Sequence, residues 1–373
     1  MANLKVEIIK ITEIKEHPNA DRMELAFIGG WQSCVPIGKF KTGDRAVYIP
    51  VDSILPADVE NILFPPASKV KLKNSRVRSI KLRGAMSQGM VEMPETLGLL
   101  PNIKVGKDVA KQLGITKYQP PAKRTPGMMK AKPKKHKNPN FKIYTNIGHF
   151  KYYCECMDGM RIWGTEKIHG TNFRSGWVKY NAFNWWRKIG RFLRIIPSHE
   201  FAYGSHRVEL TRKGKRSTGF YKQNVYHIIS EQYNLRQILA DGEVIYGEIY
   251  GCGIQKGYEY GCELIPGKEW KMVVVDVMID GKYMDGCKAE QFCDMKGLPY
   301  APVLIRNELF DFDAVEKIAN PKGNKSVLYP KMQRPIEGIV IKPMVETKGH
   351  MGRMVFKWIN DNYWLNKDNT DWH

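Results

Sequence analysis

The chain has 373 residues, 43% of them hydrophobic, which suits two or three domains with ordinary folded cores. No stretch approaches the roughly 18 uninterrupted apolar residues of a membrane helix, and Met1–Lys10 lacks the apolar run of a secretory signal, so a cytoplasmic location is expected. The formal charge of +21 favours polyanions through phosphate contacts and counterion release: nucleic acid first, an anionic membrane second, with a solvated basic surface as the plain alternative.

Residues 1–116 read as β-rich. Val6–Ile11, Met23–Ile28, Cys34–Ile37, Ala46–Pro50 and Ser87–Met93 are short apolar or alternating runs, punctuated by Gly29-Gly30, Thr42-Gly43-Asp44 and Arg83-Gly84. Short strands at this spacing suggest a small barrel. His17-Pro18-Asn19-Ala20-Asp21-Arg22 resembles the opening of OB-fold tRNA-binding domains. Lys81-Leu82-Arg83-Gly84-Ala85-Met86-Ser87-Gln88-Gly89 resembles part of the OB domain placed ahead of certain ligase catalytic domains. Such a barrel binds nucleic acid on an open face with cations and stacking aromatics; a packing module without that contact is the alternative.

Residues 117–142 carry nine basic residues, no acidic one and five prolines, which predicts an extended linker between two domains. Its lysines could track a phosphate backbone or only keep a tether soluble. Residues 143–373 mix strands with helices: Val244–Tyr250, Lys271–Met278 and Gly338–Lys342 are strand candidates. Ala182–Ile196 is a basic amphipathic stretch, a helix laid on RNA or one packing Trp185, Trp186, Phe192 and Leu193 into a core. The seven cysteines include no C-x-x-C pair, so reduced thiols are expected rather than a structural zinc site.

The chemistry centres on Thr165-Glu166-Lys167-Ile168-His169-Gly170-Thr171-Asn172, which resembles motif I of the covalent nucleotidyltransferases. DNA ligases and capping enzymes usually have Asp where this chain has His169; the E-K-x-H-G-x-N form resembles RNA ligases of the second type. Companion segments follow in the family's order. Gly204-Ser205-His206-Arg207 resembles motif Ia and Tyr246–Gly251 motif III. Val274–Val277 resembles motif IIIa, Glu337–Lys342 motif IV and Met354–Lys357 motif V. With an OB domain in front, the chain is most similar to the fifth RNA ligase family.

That resemblance implies an α+β protein. An amino-terminal OB-type β-barrel (1–116) and the basic linker (117–142) precede a nucleotidyltransferase domain (143–373) of the ATP-grasp-like ligase type, antiparallel sheets with helices. It implies ATP and Mg²⁺ or Mn²⁺ as cofactors, and RNA or an RNA-containing nicked duplex as partner, handled by a monomer away from membranes, with RNA repair as the setting. Lys167 would be the nucleophile on the α-phosphorus, and Lys342 and Lys357 the cations that keep it neutral and screen the phosphate. Glu166 and the backbone at Ile168 would meet the adenine edge. Asn172 and Arg207 would hold the sugar–phosphate side, Glu248 the ribose, and Glu337 a metal ion. Ends would be joined through lysyl-AMP and an adenylylated 5′ end.

Three departures stand out. Motif V often reads K-x-K, but Val355 occupies its first position, with either Arg353 as a replacement cation or weaker pyrophosphate contacts as the consequence. No aromatic to stack on adenine is evident at Val274 or Val275. The interval between motifs I and Ia is long and holds Ala182–Ile196. No second OB domain is expected after motif V, which argues against a typical DNA ligase or capping enzyme. A minimal ATP-dependent DNA ligase and a non-catalytic RNA-binding adaptor remain as rivals.

Overall fold

Alternating burial builds the strands of the amino-terminal region. Along Trp31–Pro36, Trp31, Ser33 and Val35 are buried while their neighbours are partly or fully exposed, the period-two pattern of a half-buried strand. In the computed structural model, which describes residues 4–68, 71–119, 138–180, 197–210, 223–262, 269–323, 326–349 and 352–365, the chain divides into two units. One comprises Met1–Arg124, Gly148–Cys156 and Asp361–His373; the other comprises Thr125–Ile147 and Met157–Asn360. Most of the expected linker and all of Ala182–Ile196 lie outside the described residues.

In the first unit, Glu7–Lys10, Arg45–Ile49 and Met90–Glu92 form one antiparallel sheet, and Glu13–Glu16, Met23–Ile28 and Trp31–Pro36 another. Val6, Ile8, Val47, Ile49, Leu55 and Val77 are buried together. An aromatic cluster adds the later segments to this unit. Trp31 lies 4.5 Å from His149, 5.1 Å from Tyr152 and 6.5 Å from Trp364, ring to ring. Lys151 is buried beside Trp31, its amine donating to Gln88 Oε1 at 3.0 Å, and Gln88 Nε2 donates to Asp361 at 2.8 Å. An ammonium out of water requires such partners.

Among the described residues, the second unit holds two larger sheets and a short hairpin that pairs Lys348–Gly349 with Gly352–Arg353. Phe356–Ile359, Gly338–Pro343, Arg161–Glu166 and Val303–Leu309 lie side by side, antiparallel, in that order. The larger sheet has six strands in the order Glu209–Leu210, His199–Gly204, Thr171–Lys179, Glu243–Gly251, Trp270–Ile279, Lys282–Tyr283. One of its faces buries Phe173, Ile245, Ile249 and Val277 with Ile229 and Phe292, which belong to the Val225–Gln232 and Gly286–Lys296 helices. Its other face carries Val178, Val244, Tyr246 and Met278, covered by Phe141 and Tyr144. The expected strands Val244–Tyr250, Lys271–Met278 and Gly338–Lys342 appear as Glu243–Gly251, Trp270–Ile279 and Gly338–Pro343. The α+β class follows. No helix among the described residues is long and apolar enough to cross a membrane.

Candidate active site

The strand Arg161–Glu166 ends at Lys167, whose backbone N–H donates to the Gly338 carbonyl at 2.9 Å. Its side-chain amine donates to Glu337 Oε1 at 2.6 Å, and Glu337 Oε2 stands 3.3 Å from His169 Nδ1. The lysine is 12% exposed and the glutamate 1%, so the amine is the accessible member of the pair. Gly170 follows because a Cβ there would overlap the Ile249 carbonyl. That close approach ties the motif to the larger sheet.

Strand geometry gathers the three lysines. Trp163 pairs with Lys342 and Thr165 with Val340, while Val340 pairs with Lys357. Directly paired residues share a face, and side chains repeat on one face every second residue. Lys342 and Lys357 therefore belong to the face of Trp163 and Thr165, the face that Lys167 continues. Both are buried.

Lys342 is not an isolated cation. Its amine donates to Asp276 Oδ1 at 2.7 Å, and Asp276 Oδ2 accepts from Arg353 at 2.6 Å and from the Tyr144 hydroxyl at 2.7 Å. Arg353 also grips Glu346 through Nε and Nη2, at 2.5 and 2.7 Å, and lies 3.8 Å over the Tyr283 ring. The arginine named as a replacement for the motif V lysine is thus bound to two carboxylates. Burial acts to raise the Asp276 pKa, but Lys342 and Arg353 outweigh it and hold the carboxyl below its usual value.

Glu166 is buried and its carboxylate accepts three bonds: from Ser326 Oγ at 2.6 Å, Val327 N at 2.7 Å and Leu328 N at 3.1 Å. Burial pushes its pKa up, against the pull of these donors. Ile168 is buried, and the His169 N–H donates to the Tyr260 hydroxyl at 3.0 Å.

On the larger sheet, Asn172 pairs with Glu248, which places them on the face of Arg174, Tyr246 and Asp276. Glu248 keeps some surface exposure, yet its carboxyl is densely surrounded. Burial first, and then the Glu337 carboxylate, push its pKa to about 8 against the opposing pull of Lys167. Asn172 Oδ1 is buried without a hydrogen-bond partner, an acceptor available to a ligand. Arg207 is exposed on the loop beyond His199–Gly204, where no hydrogen bond or ion pair joins it to the other candidates among the described residues. Arg174 was not apparent from the motifs. It is fully buried and donates to the carbonyls of Ser205 at 3.0 Å and Phe141 at 2.5 Å, fastening the Gly204–Arg207 segment. Its place two residues after Asn172, on the same face, was the available signal.

The arrangement thus joins Lys167, His169, Glu248 and Glu337 in one cluster, with Glu166, Ile168 and Asn172 beside them in sequence and Lys342 and Lys357 on the lysine's face. Among the described residues, no group of three or more His, Cys, Asp and Glu side chains is set to hold a metal ion.

A family model described as RNA ligase matches residues 160–359, and one described as an OB-fold domain matches residues 5–94. Among solved structures, the chain is similar to a Naegleria gruberi RNA ligase mutant with ATP and Mn, at 21% identity and a TM-score of 0.69, covering 96% of this chain and 98% of that one. The Naegleria gruberi RNA ligase with PPi gives 20% and 0.67, covering 97% and 98%. A mutant with AMP and Mn gives 21% and 0.68, covering 96% and 97%. These likenesses show a shared fold. No curated protein matches the chain.

Proposed function

The chain belongs to the RNA ligase family, and from that premise we propose that it is an ATP-dependent RNA ligase that joins 3′-OH and 5′-phosphate ends through lysyl-AMP at Lys167. The observation that carries this reading is the accessible Lys167 amine, held by Glu337 on a sheet face shared with two buried lysines. RNA repair in the cytoplasm is the setting we propose.

In the first step the Lys167 ammonium leaves Glu337 and gives up its proton to water, which its partial exposure admits. The free amine attacks the α-phosphorus in line; a P–N bond forms, the bond to the β-phosphate oxygen breaks, and pyrophosphate departs. AMP then passes to a 5′-phosphate, and a 3′-OH displaces it to seal the strand. Lys342 and Lys357 supply positive charge on the face where charge grows. Asp276 divides its charge between Lys342 and Arg353, so Lys342 keeps part of its field. Glu166 and the Ile168 backbone take the adenine edge. The Asn172 acceptor and the exposed Arg207 take the sugar–phosphate side and the strand ends. With a pKa near 8, Glu248 is mostly protonated at neutral pH, so its carboxyl can donate a hydrogen bond to a ribose oxygen.

A single carboxylate, Glu337, in a lysine-rich site fits Mg²⁺ or Mn²⁺ of the kind that keeps most of its waters and leans on substrate phosphates. Bound there, such an ion would neutralise phosphate charge. The relatives solved with ATP and Mn or AMP and Mn agree with this choice.

Incubation with α-labelled ATP followed by denaturing electrophoresis tests the reading. Label from ATP and not from GTP supports it; no label leaves an RNA-binding adaptor. Nicks that vary the sugar at the 3′-OH side separate RNA from DNA joining.

A further inference from the structure

Glu166 and Lys167 are consecutive, and both are held by one stretch of chain. At its start, Ser326 Oγ, Val327 N and Leu328 N all donate to the Glu166 carboxylate. At its end, Glu337 accepts from Lys167. Between these points the stretch is anchored twice more: the Tyr329 ring packs where a Cβ on Gly261 would stand, and the Pro335 carbonyl accepts from the Tyr258 hydroxyl at 3.0 Å. Ser326 is buried and serves two partners. Its Oγ accepts from Tyr329 N at 3.0 Å, which directs the hydroxyl hydrogen to Glu166 at 2.6 Å.

An ionised carboxylate offers about four acceptor sites. Three are filled by this turn, which leaves room for a single further donor and for no further acceptor. A purine with an amino group at position 6 offers that donor. A purine with a carbonyl there sets an acceptor against a buried carboxylate, and an unpaired polar contact of this kind strongly disfavours the wrong ligand.

We propose that Ser326 is a positioning residue for base selection: with the Val327 and Leu328 amides it fixes the Glu166 carboxylate so that one acceptor site remains for the 6-amino group of adenine. This rests on the reading that Lys167 takes AMP from ATP. Removing the hydroxyl frees one acceptor site and one backbone amide, and Glu166 gains room to turn. Binding should suffer more than chemistry, because the Lys167 side of the stretch keeps its own bond to Glu337.

The test is self-adenylylation of the full chain over a range of ATP concentrations, repeated with inosine triphosphate in place of ATP. The Ser326→Ala chain should show a KM for ATP raised about tenfold, the scale of one lost hydrogen bond to a charged group. Its kcat should stay within about twofold and its preference for ATP over inosine triphosphate should shrink. Ser326→Thr keeps the hydroxyl and should restore both, which separates positioning from mere loss of fold. Thermal melting of each variant runs alongside. Wild-type KM and base preference in Ser326→Ala, at any melting temperature, overturn the proposal. A wild-type chain that takes no label from ATP removes the adenylylation reading and the proposal together. Label on the wild type with Ser326 indifferent removes the proposal alone.

Discussion

Lys167 Nζ and Glu337 Oε1 stand 2.6 Å apart, and the other Glu337 oxygen faces His169 at 3.3 Å. The amine proposed as nucleophile is thus paired with a carboxylate before substrate arrives. We expect Lys167→Ala to abolish covalent AMP labelling while RNA binding stays largely intact, as read by denaturing gel and by a binding assay. Persistent covalent label on that variant, acid-labile and alkali-stable as a P–N bond is, would falsify Lys167 as the nucleophile.

Lys342→Ala and Lys357→Ala are both expected to slow adenylylation, because each removes positive charge from the face where charge grows on the phosphate. Lys342→Ala should also cost stability. Removing Lys342 strips one partner from the buried Asp276, and breaking a buried pair from one side costs about 3–5 kcal/mol, a cost that Arg353 reduces here. Rates and melting temperatures check this. Wild-type rates in both variants count against it.

Asp276→Asn should lower the melting temperature at neutral pH and flatten its loss in acid. The carboxyl titrates below its usual value when folded, so its contribution is present above the unfolded pKa of about 3.9 and disappears as pH falls through the folded value. Melting curves from pH 7 to pH 2 decide the matter; parallel decline in variant and wild type would show that Asp276 adds nothing to acid sensitivity.

Glu248 gives the opposite sign. Its pKa rises to about 8 on folding, so the folded state holds the proton more tightly and stability falls as pH climbs from the ordinary carboxyl range to about 8. Glu248→Gln should remove that share of the decline. The check is the difference in melting temperature between pH 5 and pH 8; equal differences in both proteins would refute it.

A fragment starting near Lys142 is expected to keep self-adenylylation and to seal pre-adenylylated nicks poorly, with a flatter salt dependence of RNA binding. It should also melt lower. Lys151 would lose Gln88, and His149 and Tyr152 would lose the Trp31 ring. Sealing at the full-length rate would mean that the amino-terminal barrel and linker serve some other purpose.

The α+β class and the amino-terminal OB barrel were legible because strands write their pattern locally. Met23–Ile28 was bounded to the residue from its apolar run alone. Glu13–Glu16 escaped notice, since three of its four side chains are charged and exposed, as an edge of a sheet permits. The motifs also marked where Lys167, Glu248 and Glu337 would be found, because each sits at or beside a strand whose apolar core is plain. What the sequence hid is partnership. Ser326 lies far along the chain from Glu166, and Tyr144, Asp276 and Arg353 are equally scattered; nothing local to any of them names the others.

Chain order has a temporal consequence for the first unit. Its aromatic cluster takes Trp31 from near one end of the chain, His149 from the middle and Trp364 from near the other. Contacts between residues so distant in sequence form slowly, since the intervening loop must be closed first. During synthesis the amino-terminal strands emerge first, yet Trp364 reaches them only after more than 300 further residues have been made. The amino-terminal barrel therefore gains the last ring of its aromatic cluster only after the segment that carries Lys167, Lys342 and Lys357, and a ribosome stalled between Lys357 and Trp364 holds a chain in which that segment is already made while the cluster still lacks Trp364.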